Sequence, residues 1–394
     1  MEQRDVIVIG GGIMGTSVAY QLAGRGQRVV LLERRLIGEG PTGESSAILR
    51  THYSNELTTR MALFGLEFYR DFQRYTGEEC GFHAPGFLLL APADERAAVE
   101  RNCALQRSLG IDSEVLDAAG IASRMPELAV DDGVIAAWEP DSAYADPYLA
   151  VTGLARAARA RGVEIHQETA VTGIRFAAGH VAGVDTSRGA FDAPWVVNAT
   201  GAWGARTARL AGVEAPIDAC RIQVGVYRRP AGPAGGGRAQ HPIVADFRTA
   251  CYFRPEVGDK TIAGLIDPAE ADAVVDPDDY PKKPDFAFYA ELGEKLSRTC
   301  PELAEAESAG GYASLYAITP DWHPIVDEAP ARSGHVLCSG FSGHGFKLGP
   351  AVGVMVADIM TGAAEPRFDP SMFRLDRWAA AKSVGGSYRF SIVG

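Results

Sequence analysis

Four apolar residues in a row, Val6–Ile9, stand between a charged N-terminal stretch and the glycines of "GGGIMG". A run this short and this continuous predicts a strand buried on both faces. Helical spacing of apolar positions follows over residues 13–23 and stops at Gly24 and Gly26, after which "RVVLLE" repeats the buried-strand pattern. Strand, helix and strand in that order predict a βαβ unit. Residues 57–75 and "DERAAVERNCALQRSLG" carry amphipathic helical periodicity, with strand-like "GFLLLAP" between them. The stretch 140–176 predicts a helix feeding a strand at 163–166, then short strand-like pieces in "GIRFAAGHVAGVDTSRGAF" spaced as a meander. "WVVNATGAWG" is a buried strand that ends in a glycine turn. From 215 to 314 longer strands take over ("RIQVGVYRRP", "ACYFRPE", "KTIAGLID"), interrupted by "RPAGPAGGGRAQHP", which reads as a mobile surface loop. Residues 334–362 return to strand, turn and helix.

At 394 residues the chain exceeds one ordinary core, so two domains are expected. The alternation above splits them: residues 1–85, 145–215 and 315–394 form a nucleotide-binding domain, and 86–144 with 216–314 a sheet-rich substrate domain. Composition adds exclusions. A net charge of −12 disfavours nucleic acid, which wants a basic footprint. The six cysteines are scattered with no CxxC and no zinc spacing, so they read as reduced core residues, and no metal is expected. No apolar run reaches the ~18 residues of a membrane span, and the N-terminal apolar run is too short for a signal peptide. A cytoplasmic protein is the expectation.

Gly10, Gly12 and Gly15 fit G-x-G-x-x-G between a strand and a helix. The first glycine permits the tight turn, the second lets a pyrophosphate approach the helix N-terminus, and the third lets helix and strand pack closely. Glu33 closes the second strand, where a carboxylate accepts from ribose hydroxyls. It does not choose between FAD and NAD, both of which carry that ribose. Two further glycine turns do: Ala199-Thr200-Gly201, and "SGFSGHGFKLGP" before the last helix. Three close-approach turns so far apart suit one long ligand lying across a sheet edge, as in a two-domain flavoprotein.

The chain resembles the FAD-dependent D-amino-acid oxidase superfamily, in its sarcosine oxidase-like and dimethylglycine dehydrogenase-like branch. The resemblance rests on "DVIVIGGGIMG" with "LLER", "GPTGESSAILRTHYSNE", "VVNATGAW", "YFRPE", "LYAITPDWHPIVD" and "GFSGHGFKLGPAVG". It implies an α/β architecture: a Rossmann-like FAD-binding domain with a discontinuous α+β substrate domain on a mostly antiparallel sheet. It places FAD on Gly10, Gly12, Ile13, Met14 and Gly15, with Glu33 and Arg34 at the ribose end and Val171 beside them. Ser45 and Ser46 then donate near the pyrophosphate or ring, and Thr200, Gly201 and Trp203 belong to the second turn. The third turn, Gly340, Gly343, His344, Gly345, Phe346 and Lys347, lies beside the flavin ring, its helix N-terminus facing the pyrimidine end. By the same resemblance Lys347 and Arg50 bind the substrate carboxylate, a task to which a planar guanidinium is suited. His52 and His344 are candidate proton acceptors, and Tyr252 and Tyr316 are either pocket walls with polar tips or core tyrosines.

Departures from that pattern carry information. Monomeric sarcosine oxidases attach flavin through a cysteine that matches Ser314, which cannot form the thioether, so the FAD is expected to be non-covalent. The lysine that promotes their reaction with dioxygen matches Ile262, and a later histidine matches Ile266. Lys260, two positions away, shares the strand face but is not expected to reach. The final acceptor is therefore dioxygen or another electron acceptor, and the pocket is more apolar than sarcosine needs. Tyr316 replaces the arginine of glycine and D-amino-acid oxidases. The expected reaction is oxidation of the C–N bond of a small secondary, tertiary or cyclic amino acid to an imine. Oxidation of a 2-hydroxy acid is the alternative, and a non-catalytic binding protein on the same fold a more distant one.

Overall fold

The computed structural model describes residues 4–230, 240–266, 273–329 and 333–379. Residues 231–239, most of the expected surface loop, lie outside the described residues. At the centre is a six-stranded sheet with Val6–Ile9 in the middle, each residue at most 6% exposed. Val29–Leu32 and Trp195–Asn198 flank it in parallel, Glu164–His166 and His335–Ser339 extend the sheet in parallel, and Ile325–Glu328 closes one edge antiparallel. Burial on both faces explains the unbroken apolar runs. The helix Ile13–Gly24 packs on Gly345–Thr361 and Pro147–Ala160, so the first and last helices of the fold lie side by side.

The meander is present as a three-stranded antiparallel sheet of Val171–Ala177, His180–Thr186 and Gly189–Asp192. An eight-stranded sheet supplies the second layer. Its order is Glu307–Ile318, Asp218–Arg228, Lys260–Leu265, Cys251–Glu256, Ile243–Asp246, Phe87–Pro92, Val134–Glu139 and Glu114–Leu116. Neighbours are antiparallel except Ile243–Asp246 beside Phe87–Pro92. The boundary expected between 314 and 315 falls inside Glu307–Ile318.

Several elements differ from the sequence reading, three of which bear on the site or its support. The helix expected over 57–75 is two helices, Glu56–Arg70 and Phe72–Thr76, parted at Asp71, whose ψ of 22° leaves the helical range. Its start is sharper than periodicity showed, because Asn55 caps it by accepting from the Thr58 N–H at 2.8 Å. Strand Val134–Glu139 and helix Phe286–Thr299 were not anticipated. The helix had a signal: Phe288, Leu292 and Leu296 recur every fourth residue behind an Asp285 cap. Among the described residues no helix is long and apolar enough to cross a membrane.

Candidate active site

The first glycine turn is built by contact as much as by conformation. A Cβ on Gly10, whose φ is +109°, would lie 2.5 Å from the Ala199 carbonyl oxygen, and one on Gly15 would lie 1.9 Å from the Gly10 carbonyl oxygen. Strand and helix therefore touch backbone to backbone and leave a cradle over the helix N-terminus. On Gly12 a Cβ would meet Thr42 Oγ1 at 2.9 Å, and that hydroxyl accepts from the Ile13 N–H at 3.1 Å. Glu33 accepts from the Gly11 and Arg35 N–H groups at 2.6 and 2.7 Å, which holds its carboxylate at the mouth of the turn. Val171 packs against the cluster that holds Ile9 and Leu32, and two residues before it the Thr169 N–H donates to the Glu33 carbonyl at 2.8 Å. A helix N-terminus, a small-residue cradle and a carboxylate beside it fit the phosphates and ribose of a dinucleotide.

Arg34 and Trp203 are brought together from distant parts of the chain. The guanidinium lies 4.0 Å from the indole centroid, and both groups bond to Asp278, at 2.8 and 3.0 Å. Thr200 donates to Asn198 Oδ1 at 2.7 Å, which shapes the second turn, and Gly201 follows with φ +54°.

A cavity of about 210 Å³ runs from the N-terminal end of helix Ile13–Gly24 to that of Gly345–Thr361. Ile13, Met14, Ser45, Ser46, Gly201, Arg50, Tyr252 and Tyr316 line it, as does the turn Gly343–Lys347. Gly340 belongs to that turn but does not reach the cavity. The eight-stranded sheet adds an apolar wall: Phe87, Ile222, Val224, Ile243 and Ala245, with Ile266 just beyond its strand. Ser46 is fixed from two sides, its hydroxyl 2.7 Å from the Tyr252 hydroxyl and its carbonyl accepting from Arg254 Nε at 2.7 Å. Ser314 lines the cavity with a buried hydroxyl. Ile262 packs instead with Ile222 and Val224 in a small core cluster. Lys260, paired in register with Arg228 and Glu256, does not line the cavity either.

Two cations face this space. Arg50 is 7% exposed, donates to the His52 carbonyl, and lies 4.6 Å from the Tyr53 ring centroid. Lys347 is 6% exposed in the first turn of its helix. Burial first, and then the charge of Arg50, push its pKa well below the ordinary lysine value. The turn is clamped by helix Glu56–Arg70. Gly65 touches it so closely that a Cβ would lie 1.9 Å from the Lys347 carbonyl oxygen, and the Tyr69 hydroxyl donates to the Phe346 carbonyl at 2.8 Å. Glu44 is the one acid among the described lining residues.

The structure separates the two histidines, and His52 departs from the sequence reading. His52 does not line the cavity; its ring is fully buried on the other side, with Nδ1 3.2 Å from Glu139 Oε1. Strict alternation would have put His52 on the face of Arg50, but the strand ends at Leu49, and the irregular backbone beyond it turns Thr51 and His52 together toward Glu139. His344 does line the cavity, but its Nδ1 is 2.9 Å from the Tyr53 hydroxyl. Burial, then Lys347, Arg50 and His323, push its pKa well below the usual histidine value, so the ring is neutral. Sequence reasoning expected an apolar pocket and named Ile266, but missed Thr42, Glu44 and the other residues of the apolar wall. Thr42 and Glu44 sit inside the quoted "GPTGESS", while the wall had no local signal.

A family model described as "FAD dependent oxidoreductase" (DAO) matches residues 5–359, and the chain belongs to that family. Mouse mitochondrial sarcosine dehydrogenase is 30% identical over 414 residues, 96% of this chain and 43% of that protein. Glycine oxidase of Geobacillus kaustophilus (strain HTA426) is 26% identical, covering 95% of this chain and 97% of its own. Among solved structures, L-proline dehydrogenase from P. horikoshii superposes with a TM-score of 0.87 at 27% identity, covering 97% of this chain and all of that one. The fold is that of these flavoenzymes. The chain spans less than half the length of the mammalian sarcosine dehydrogenases it matches.

Proposed function

We propose that the chain binds FAD non-covalently and oxidises the C–N bond of a small N-alkylated or cyclic amino acid to an imine. The observation that carries this is the pairing of Arg50 and Lys347 with an apolar wall in one cavity. A buried guanidinium and a buried amine lining one cavity suit a substrate carboxylate, which both can bind by charge-assisted hydrogen bonds. The wall of Phe87, Ile222, Val224, Ile243 and Ile266 then takes an apolar or cyclic amino-acid body. Two relatives are named for sarcosine and proline, which fall in this class, and a third for glycine, which shares only the amino-acid oxidation.

In this reading the Gly10–Gly15 turn, Glu33 and Thr42 hold the phosphates and adenosine ribose, with Arg34, Val171, Thr200, Gly201 and Trp203 bordering them. Ser45, Ser46 and the Gly343–Lys347 turn hold the flavin end. When bound, FAD supplies the hydride acceptor for the carbon next to the amine nitrogen. Arg50 and Lys347 fix the carboxylate so that this C–H bond has one orientation. The apolar wall excludes water and favours the neutral amine, whose lone pair the reaction needs. Neutral His344, tied to Tyr53, orients the turn. Ile262 where oxidases carry a lysine supports an electron acceptor other than dioxygen.

Anaerobic bleaching of the bound flavin tests the substrate, with sarcosine, N-methyl amino acids, proline, pipecolate, glycine, D-amino acids and 2-hydroxyglutarate as the panel. Bleaching by an N-alkyl or cyclic amino acid is the expected result. Bleaching by the hydroxy acid alone would replace the amine with an alcohol as substrate, and a yellow protein untouched by the panel would sink the substrate class. The attachment of the cofactor has its own check. With serine at 314, acid precipitation of the yellow protein is expected to leave all flavin in the supernatant; colour retained in the washed pellet would disprove the non-covalent reading.

A further inference from the structure

Behind the cavity arginine, away from the ligand space, stands a buried carboxylate. Glu139 ends strand Val134–Glu139 and is 1% exposed. Its Oε2 accepts from the Thr51 N–H and the Thr51 hydroxyl, both at 2.9 Å, and from the Ser142 hydroxyl at 2.5 Å. Its Oε1 accepts from Gln106 Nε2 at 2.7 Å and faces His52 Nδ1 at 3.2 Å. Gln106 Nε2 also reaches the Thr51 hydroxyl at 3.1 Å. Burial would raise the pKa of this carboxyl, but the bonds from His52, Ser142 and Thr51 outweigh it and bring it down to about 2. An ionised carboxylate as buried as this one persists where donors surround it in this way.

Thr51 and His52, two of the residues that meet Glu139, directly follow Arg50 in the chain. Arg50 in turn donates to the His52 carbonyl and lies over Tyr53, whose hydroxyl bonds His344 at the start of the Lys347 helix. Segment 50–53 thus presents its arginine to the cavity and keeps its next two side chains on Glu139. Neither Glu139 nor His52 lines the cavity.

We propose that Glu139 is a positioning residue: by anchoring Thr51 and His52 it fixes the His52 carbonyl, and through it holds the Arg50 guanidinium in the geometry that binds a substrate carboxylate. This rests on the reading of Arg50 and Lys347 as a carboxylate clamp. His52 acts within this anchor. An arginine released from it would still carry its charge but would spend binding energy on being ordered.

The test titrates acetate into the FAD-loaded protein and reads the flavin absorbance, in wild type and in Glu139→Gln, Glu139→Asp and Gln106→Met. Acetamide serves as the uncharged control, and melting temperature is recorded for each variant. Glu139→Gln is expected to keep its FAD and weaken acetate about 10- to 100-fold, with acetamide unchanged and Glu139→Asp restoring part of the affinity. In turnover its KM should rise more than its kcat falls. Should Glu139→Gln fail to fold, Gln106→Met, which removes one donor from both Glu139 and Thr51, is expected to weaken acetate several-fold. Unchanged acetate affinity in the folded variants overturns the inference and leaves the clamp standing. Equal loss of acetate and acetamide assigns Glu139 a general structural role and also overturns it. Failure of acetate to bind the wild type overturns the clamp and this inference together.

Discussion

Arg50→Met and Lys347→Met are each expected to leave a yellow, folded protein that has lost its grip on carboxylates. Methionine keeps an apolar stem of similar length, so the packing around both side chains survives. What is removed is one half of a buried, charge-assisted contact, a truncation worth about 2–5 kcal/mol. That corresponds to roughly a 30- to 5,000-fold loss in carboxylate affinity. Kinetics of flavin reduction against substrate concentration would show it, with acetate titration as a ligand-only check. Wild-type affinity in either variant would remove that residue from the clamp. The pH dependence separates the two. Burial and Arg50 depress the Lys347 pKa, and an incoming carboxylate draws it back up, so binding takes up a proton above the depressed value. Acetate affinity should therefore fall as pH rises through that region, and Lys347→Met should abolish this slope. Stability follows the opposite sign. Between the depressed value and the ordinary lysine pKa the unfolded chain binds more protons than the folded one, so the wild type gains stability with rising pH there. Lys347→Met is expected to flatten that gain in thermal melts taken across the same range.

Gly15→Val should produce a colourless protein. The added side chain begins 1.9 Å from the Gly10 carbonyl oxygen, and the Val8 side chain is only 3.3 Å away. The obstacle is backbone, which cannot rotate aside, so strand Val6–Ile9 and helix Ile13–Gly24 must separate. Overpacking costs typically 1–3 kcal/mol and more where backbone is the obstacle, a large part of the ~5–15 kcal/mol that stabilises a domain. The cradle opens before the fold is lost, because the Ile13 N–H and the Glu33 carboxylate no longer converge. The ratio of flavin to protein absorbance in the purified variant, together with its melting temperature, reports both effects. Full FAD content in Gly15→Val would mean that this turn does not carry the cofactor.

Both of these sites were legible from the chain alone, for a local reason. The glycine turns are recoverable as turns because each depends on a few adjacent residues: a strand, glycines at positive φ or where a Cβ has no room, and a helix start. Arg50 and Lys347 were reached by resemblance, each within a motif of consecutive residues, and the structure brings both to one cavity. His52 lay in the same quoted motif and faces elsewhere, since a motif carries identity more readily than direction. Helix Phe286–Thr299 was missed although its apolar period and its cap are plain in the sequence. Its surroundings read as sheet, and context overrode the local signal.

On its own, the sequence determined the βαβ start, the three glycine turns, the family, and the serine where related oxidases carry their attachment cysteine. Each of these is settled by neighbours along the chain. Only the tertiary structure decided the apolar wall of the cavity, because Ile222, Val224, Ile243 and Ala245 lie on strands whose facing depends on pairing register. A slip of one residue would turn each of them away. It also decided the anchor behind Arg50, where Thr51 meets Glu139 across 88 positions, and the contact of Gly65 with Lys347. Such contacts join residues that no local pattern relates, and they exist only once the two layers have packed.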